Sequence, residues 1–427
     1  MAAATTADGC VLDQRTRYDH RVEDLDPATF LERDAPVLLA RNGALAGRAA
    51  RVWELPPLAL DVAGEAFTLV PQNEGLRIES GVGGTAVVAA MTREGFADWI
   101  QDQMSSMGLI LGGLVEMRRG GLDDLLEWEP TLRALLDARP AYEPGQVRFA
   151  DRAGSPLDLG RSFDLDDDPD EIAHFLAQAG FLHLRGVFEP ALMDEISRDM
   201  DAAMSSYRPD DGNSWWARTG AGVRRPVRLQ RFHRHSAATR ELLESDRYLR
   251  IGSFGRSGHT ARGLASDLGE ANVIEALVKP LDVVEGISDL PWHKDCGLGR
   301  HSYDCCSMTV GISVTGADAE SGELGVLAGS HRTSIPPSGV HERVDLPKIP
   351  LPTEKGDVTV HLSCTAHMSR PPTARERRVM YTGFGLPRRP NDIVPPPDKL
   401  SRIREGAPRA MGAEKRAQLG RAGSFEL

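Results

Sequence analysis

The sequence predicts two folded regions of different class: a mainly β C-terminal domain with flanking helices, built as a double-stranded β-helix (jelly roll), and an α+β N-terminal domain. Three observations carry this. The chain has 427 residues, whereas a single hydrophobic core rarely keeps growing beyond about 250–300. From about Ala271 onward, short apolar segments alternate with Gly- and Pro-bearing turns: "NVIEALVKPLDVV", "CCSMTVGISVTGA", "ELGVLAG", "GDVTVHLS" and "RRVMYTGFGL". Many short strands of this kind point to a closed or double-sheet β architecture. Between Pro140 and Pro169, "RPAYEPG", "AGSPLDLG" and the acidic "DLDDDPDE" gather Pro, Gly and like charges that resist packing. The expected division is therefore an accessory domain over 1–145, a linker over 146–170, the β domain over 171–390 and an extension over 391–427.

The elements follow in order. Residues 58–90 run in short blocks, "LALDVAGEAFTLVPQ", "GLRIESG" and "TAVVAAM", which read as an antiparallel sheet. "MTREGFADWIQDQMSSM" predicts a helix with Thr92 as N-cap and an apolar stripe at Phe96, Trp99, Ile100, Met104 and Met107. "GGLDDLLEWEPTLRALLDARP" predicts another, interrupted or bent at Pro130. The second region opens with "DPDEIAHFLAQAGFLHLRG", where an acidic first turn leads to a stripe at Ile172, Phe175 and Leu176 and then into a strand. "EPALMDEISRDMDAAMSSY" is a second amphipathic helix.

Composition excludes several function classes. Apolar residues at 41% and charged residues at 26% suit a soluble globular protein rather than a disordered one. A formal charge of -12 argues against a nucleic-acid partner, and the tail after Leu386, with nine Arg/Lys against five Asp/Glu, reads as solvated. Five cysteines without a C-x-x-C, two of them adjacent at Cys305 and Cys306, form neither a disulfide framework nor a structural zinc site and point to a reducing cytoplasm. The opening "MAAATTADGC" has neither a basic nor an apolar leader region. No run approaches the about 18 apolar residues needed to span a membrane.

The chemistry concentrates in "PWHKDCGLGR", which sets His293 and Asp295 two positions apart, and in "KGDVTVHLSCTAHMSRPPTARERRVMYTGF" about seventy residues on, which supplies His367 and an Arg-led strand. Two imidazoles and one carboxylate on one face of Fe(II) leave the opposite face open for a co-substrate and O₂. His293, Asp295 and His367 provide those groups. A chelating 2-oxoglutarate has a remote carboxylate that calls for a fixed cation, best an arginine. Alternation puts Arg375 and Arg377 on one face and Arg378 on the other. Arg377 is preferred, with Arg378 as the rival.

In kind and order these segments resemble the phytanoyl-CoA dioxygenase family of Fe(II)/2-oxoglutarate-dependent oxygenases over about residues 170–390. "AGFLHLRGVFEPALMDEI" looks like that family's opening helix-strand-helix, "LPWHKD" like its H-x-D strand, "ESGELGVLAGSHR" like its turn into Gly-Ser-His, and "GDVTVHLSCTAHMSRPP" like its distal-histidine strand. The resemblance implies Fe(II), 2-oxoglutarate and O₂ as cofactor and co-substrates, His293, Asp295 and His367 as ligands, and Arg377 as the co-substrate anchor. It places Lys279 of "LVKPLD" where some members turn a lysine toward the co-substrate. Related halogenases keep the carboxylate position small, so Asp295 favours hydroxylation or another oxidation; the expected substrate is a small, hydrophobic molecule such as a natural product or acyl derivative, among which the H-x-D chemistry does not choose. Two alternatives stay open: a cupin-like metal enzyme that does not use 2-oxoglutarate, and a non-catalytic lipid-binding or carrier protein.

The remaining candidates receive structural readings. His361 lies six positions before His367 on what reads as one strand, too far along it at about 3.3 Å per residue for both to reach one ion. His331 reads as a turn residue bonding its own loop, and His301 and His341 as rim or solvent residues. "RLQRFHRHS" is a solvated strand or loop that could alternatively meet an anionic substrate group, and Trp215 and Trp216 sit in a Gly-flanked loop as lid or core anchors. Cys296 packs inertly. Residues 45–140 resemble the sterol-carrier-protein-type lipid-binding fold in pattern and spacing, with a plain accessory α+β domain as the alternative.

Overall fold

The computed structural model describes residues 23–140, 142–256, 258–261, 273–286, 289–295, 307–336, 342–385 and 427. The expectations for the N-terminal leader, Cys296, His301, Cys305, Cys306, His341 and the tail before Leu427 lie outside the described residues.

The N-terminal region begins at α1 (Pro27–Thr29), capped by the Asp26 side chain, and continues into the 18-residue helix α2 (Ala35–Val52). Sequence reading did not anticipate α2, because its buried positions are mostly alanine, glycine and asparagine and leave a faint apolar stripe. Its small residues have a purpose. A Cβ on Gly47 would collide with the backbone of Gly75, so the helix lies directly on the turn between β2 (Glu65–Gln72) and β3 (Gly75–Ser80).

These strands join β1 (Leu58–Val62), β4 (Val87–Met91) and β5 (Val115–Arg119) in a sheet of order β3-β2-β1-β4-β5. The expected antiparallel sheet is instead mixed, since β1 and β4 run parallel with Leu60 opposite Ala89. Thr92 caps α3 (Arg93–Ile100) as expected, its side chain accepting from the Gly95 amide. The helix stops at Ile100, and a second start capped by Ser105 makes α4 (Ser106–Leu111). Helix α5 (Leu122–Asp137) runs through Pro130 rather than ending there. Phe30, Phe67 and Phe96 meet at the centre of the region in edge-on and tilted contacts.

The stretch read as a linker carries structure of its own. β6 (Phe163–Asp164) pairs in parallel with β7 (Phe181–Arg185), and the Phe163 ring is fully buried. One large ring can anchor an otherwise polar segment, a contribution that composition averaged over the segment conceals.

From there the fold is a jelly roll of two sheets. The major sheet takes β8 (Ser214–Thr219), β9 (Arg224–Gln230), β10 (Thr260–Ala261), β11 (Glu275–Lys279), β12 (Val283–Glu285), β14 (Met308–Ser313), β17 (Val358–Leu362) and β19 (Arg377–Gly385). Its order is β12-β8-β9-β11-β19-β14-β17-β7-β6, with β10 against β19. The minor sheet is β13 (Leu290–His293), β18 (His367–Ser369), β15 (Leu324–Leu327) and β16 (Lys348–Leu351).

Helices α6 (Pro169–Ala179), α7 (Pro190–Ala203), α8 (Ala237–Glu244) and α9 (Asp246–Ser253) pack with the major sheet's back face, through Met308, Val310, Ile312, Val358, Val360, Met380 and Phe384. Strand alternation turns the other residues of β14, β17 and β19 inward, toward the minor sheet. The minor sheet's outward side chains, Trp292, Leu327 and Met368, together with Ala366 just before β18, belong to the same core as the N-terminal region.

Candidate metal centre and co-substrate site

The site lies where the two sheets face each other. On the minor sheet His293 ends β13 and His367 begins β18, and the register pairs them directly across the strands, with ring centroids 4.2 Å apart. Neighbouring Trp292 points the opposite way, into the shared core, as strand alternation requires. Each imidazole is oriented by its own backbone. His293 Nδ1 donates to the Pro291 carbonyl at 2.7 Å and His367 Nδ1 to the Thr365 carbonyl at 2.9 Å. A proton held on Nδ1 leaves the Nε2 lone pair free.

Both Nε2 atoms aim at one oxygen of Asp295. Oδ1 lies 3.8 Å from His293 and 3.6 Å from His367. One donor atom from each of the three residues falls within 4.8 Å of the others, close enough to share an ion. Burial pushes both imidazoles down, His367 well down with help from neighbouring His361 and His293, so both are neutral. Burial opposes the charge on Asp295, but the imidazoles of His367, His361 and His293 outweigh it and hold the carboxyl well below the usual range. Two neutral imidazoles and an ionised carboxylate are the donor set that Fe(II) takes in oxygen-activating sites.

His361 departs from its expected position. Instead of lying along one strand from His367, it is the second-last residue of β17 on the major sheet, while Ser363–Ala366 turn the chain over into β18 on the minor sheet. The two rings come within 4.0 Å, so counting residues along a single strand fails.

A second cluster borders the first. Lys279 of β11 and Arg377 of β19 are direct cross-strand partners, and both are buried. Lys279 Nζ donates to Ser369 Oγ at 2.7 Å and to the Arg370 carbonyl at 2.6 Å. Arg377 donates to the Gly322 carbonyl at 2.6 Å and to the same Ser369 hydroxyl at 3.2 Å, while its buried Nε has no partner among the described residues. Among the described residues neither cation has an ion pair within 4.0 Å. Burial, then the Arg377 charge, pushes Lys279 well below its ordinary value. Two adjacent buried cations bonded to neutral groups, one with an orphaned N–H, fit an anion. Arg378 faces the other way, pairing with Asp201 at 2.8 Å and bonding Ser197 of α7.

The inner wall continues through Leu277 and Glu275 of β11, Tyr381 of β19, Arg228 of β9 and Trp215 of β8, which the registers put on one face. Trp215 lies in a strand rather than a loop, and the Arg228 guanidinium sits 4.4 Å over its ring while pairing with Glu275. This arginine departs from the expected solvated strand or loop, because in sequence a half-buried strand arginine looks like a surface one until its partners are known. His331 bonds the Ala177 carbonyl of α6 at 3.0 Å rather than its own loop, and burial depresses it to about 3.

A jelly roll whose facing sheets bring together a His-Asp-His set and a buried anion seat defines a non-haem Fe(II)/2-oxoglutarate-dependent enzyme. Residues 176–379, a little under half of the chain, match the family model described as Phytanoyl-CoA dioxygenase (PhyH). A comparison with curated protein sequences finds no match. Among solved structures, similar folds include the epimerase SnoN in complex with Fe3+, α-ketoglutarate and nogalamycin RO, at 16% identity over 51% of this chain and 83% of that one with a TM-score of 0.41. AviO1 from Streptomyces viridochromogenes Tue57 is 18% identical over 54% of this chain and 98% of its own, with a TM-score of 0.41. EctD from S. alaskensis is 15% identical over 55% and 88%, with a TM-score of 0.42. The assignment rests on the family match and the site, not on these likenesses. The match stops short of residues 45–140, for which the sterol-carrier-type resemblance finds no support.

Proposed function

We propose that this protein hydroxylates a C–H bond of a small molecule, with His293, Asp295 and His367 as the Fe(II) ligands and Arg377 and Lys279 holding 2-oxoglutarate. The observation that supports this most is the shared Ser369: two residues beyond His367, its hydroxyl accepts from both buried cations, so the anion seat borders the candidate metal donors. Bound Fe(II) with 2-oxoglutarate supplies the oxidation, in which O₂ gives one oxygen to succinate as carbon dioxide leaves and the other to the product. The chain's own residues orient the donors through the Pro291 and Thr365 carbonyls and neutralise the remote carboxylate.

The wall of Trp215, Leu277, Arg228 and Tyr381 favours a substrate with an apolar part and a polar group, a class that includes natural products and acyl derivatives. Trp215 and Leu277 offer apolar surface, while Arg228 already shares its charge with Glu275 and suits a neutral polar group better than a strong anion.

Anaerobic titration of the metal-free protein with Fe(II) and 2-oxoglutarate tests this reading through the visible charge-transfer band of the chelate. Wild type is expected to give the band, His367→Ala to lose it and Arg377→Ala to need much more 2-oxoglutarate. No band in folded, iron-loaded wild type would remove 2-oxoglutarate and return the argument to a cupin-like enzyme or a carrier.

A further inference from the structure

Asp295 has two oxygens, and the ligand assignment uses one. Oδ1 faces His293 and His367 of the minor sheet, whereas Oδ2 turns to the major sheet. There Thr309 Oγ1 donates to it at 2.6 Å and His361 Nε2 lies 3.3 Å away in hydrogen-bonding geometry. Thr309 of β14 and His361 of β17 are themselves direct cross-strand partners. The carboxylate is thus held between two cross-strand pairs: an imidazole pair on one side, and a hydroxyl and an imidazole on the other.

His361 differs from the two candidate ligands in one decisive respect. Their Nδ1 atoms are tied to backbone carbonyls, which frees Nε2 for an ion, whereas the buried His361 Nδ1 has no partner among the described residues and its Nε2 meets a carboxylate oxygen. An ionised carboxylate only accepts, so the tautomer that satisfies this contact carries its proton on Nε2. A nitrogen bearing that proton has no lone pair for a metal.

We propose that His361 and Thr309 are positioning residues that hold Oδ2 of Asp295, so that the carboxylate presents Oδ1 alone to the ion bound by His293 and His367. This rests on the ligand assignment above. Free rotation of Asp295 would let both oxygens compete for the ion and occupy a position that a chelating co-substrate needs. Locking one oxygen in the major sheet prevents this and ties the centre's geometry to the spacing of the two sheets.

The test is Mn(II) binding to the full-length metal-free protein, followed by the loss of the free Mn(II) electron paramagnetic resonance signal, with thermal unfolding of each apo variant alongside. Outer partners of metal ligands typically change affinity about 10–100-fold. His361→Phe and Thr309→Val are each expected to weaken Mn(II) by about 10-fold or more with apo unfolding close to wild type, and His361→Gln, whose amide can still donate, to recover most of the loss. Wild-type affinity in both His361→Phe and Thr309→Val would overturn the proposal while leaving the ligand set intact. A His361→Phe loss as complete as that of His367→Ala, not recovered by glutamine, would also overturn it and make His361 a ligand. Failure of wild type itself to bind Mn(II) would instead strike the ligand assignment.

Discussion

At the scale of single residues, the anion seat sets the pH behaviour. Burial and the adjacent Arg377 depress Lys279, so the ammonium is disfavoured in the empty folded protein. In the window between its folded and unfolded values the unfolded chain binds more protons, and the empty protein gains stability as pH rises through it. An anion reverses the preference by favouring the ammonium, so 2-oxoglutarate binding takes up a proton there. Its affinity is expected to fall as pH rises through that window in anaerobic metal-loaded titrations, and Lys279→Met to flatten that slope. A slope unchanged in Lys279→Met would remove this lysine from the seat. The choice between Arg377 and Arg378 is a residue-scale matter too. Alternation put them on opposite faces, but the sequence alone did not say which face was inside. Arg378 turns to α7 and Asp201, and Arg377 to Lys279.

At the scale of elements, two contacts decide how pieces sit. Gly47 lets α2 rest on the Gly75 backbone, and neither partner can yield as a flexible side chain would. Gly47→Ala is expected to cost about 1–3 kcal/mol despite alanine's better helix propensity, read from denaturant midpoints. Neutral or improved stability would mean that the helix can shift outward. Asp357, just before β17, accepts from the Gly186 amide at 2.7 Å, the Glu354 amide at 2.8 Å and the His183 ring at 3.0 Å. Burial alone would raise its pKa, but the His183 ring and these two amides outweigh it and lower it. The stability it adds is present above the ordinary carboxylate range and lost as pH falls through its folded value. Asp357→Asn should therefore cost about 1–3 kcal/mol at neutral pH, with the gap to wild type closing below about pH 4. A gap that stays constant into acid would assign the loss to packing rather than charge.

At the scale of the whole molecule, the N-terminal region and the minor sheet share one core. Trp53 stacks on Tyr142, whose hydroxyl bonds Asp345, and Asp345 also accepts from the Gly145 amide at 2.6 Å. Trp292, next to His293, is buried in that same core. The two regions are expected to unfold in one transition, and Trp292→Ala to cost about 3–5 kcal/mol while also weakening metal binding through its neighbour. Calorimetry of wild type and variant checks both. Two well-separated transitions in wild type would show that the shared core does not couple the regions.

The sequence by itself determined the class of the C-terminal fold, because alternation and Gly/Pro turns are local properties, and it brought out His293, Asp295, His367, Arg377 and Lys279 as candidates. It did not disclose α2, whose alanines and glycines leave little periodic signal, nor the parallel pairing of β1 with β4, which joins segments distant along the chain. The tertiary structure alone decided the surroundings of Asp295. Thr309 and His361 carry no motif, and the strand-distance rule placed His361 far from His367 because it assumed a single strand. A four-residue turn between sheets folds that distance away, and proximity of this kind comes from sheet pairing rather than from separation in sequence.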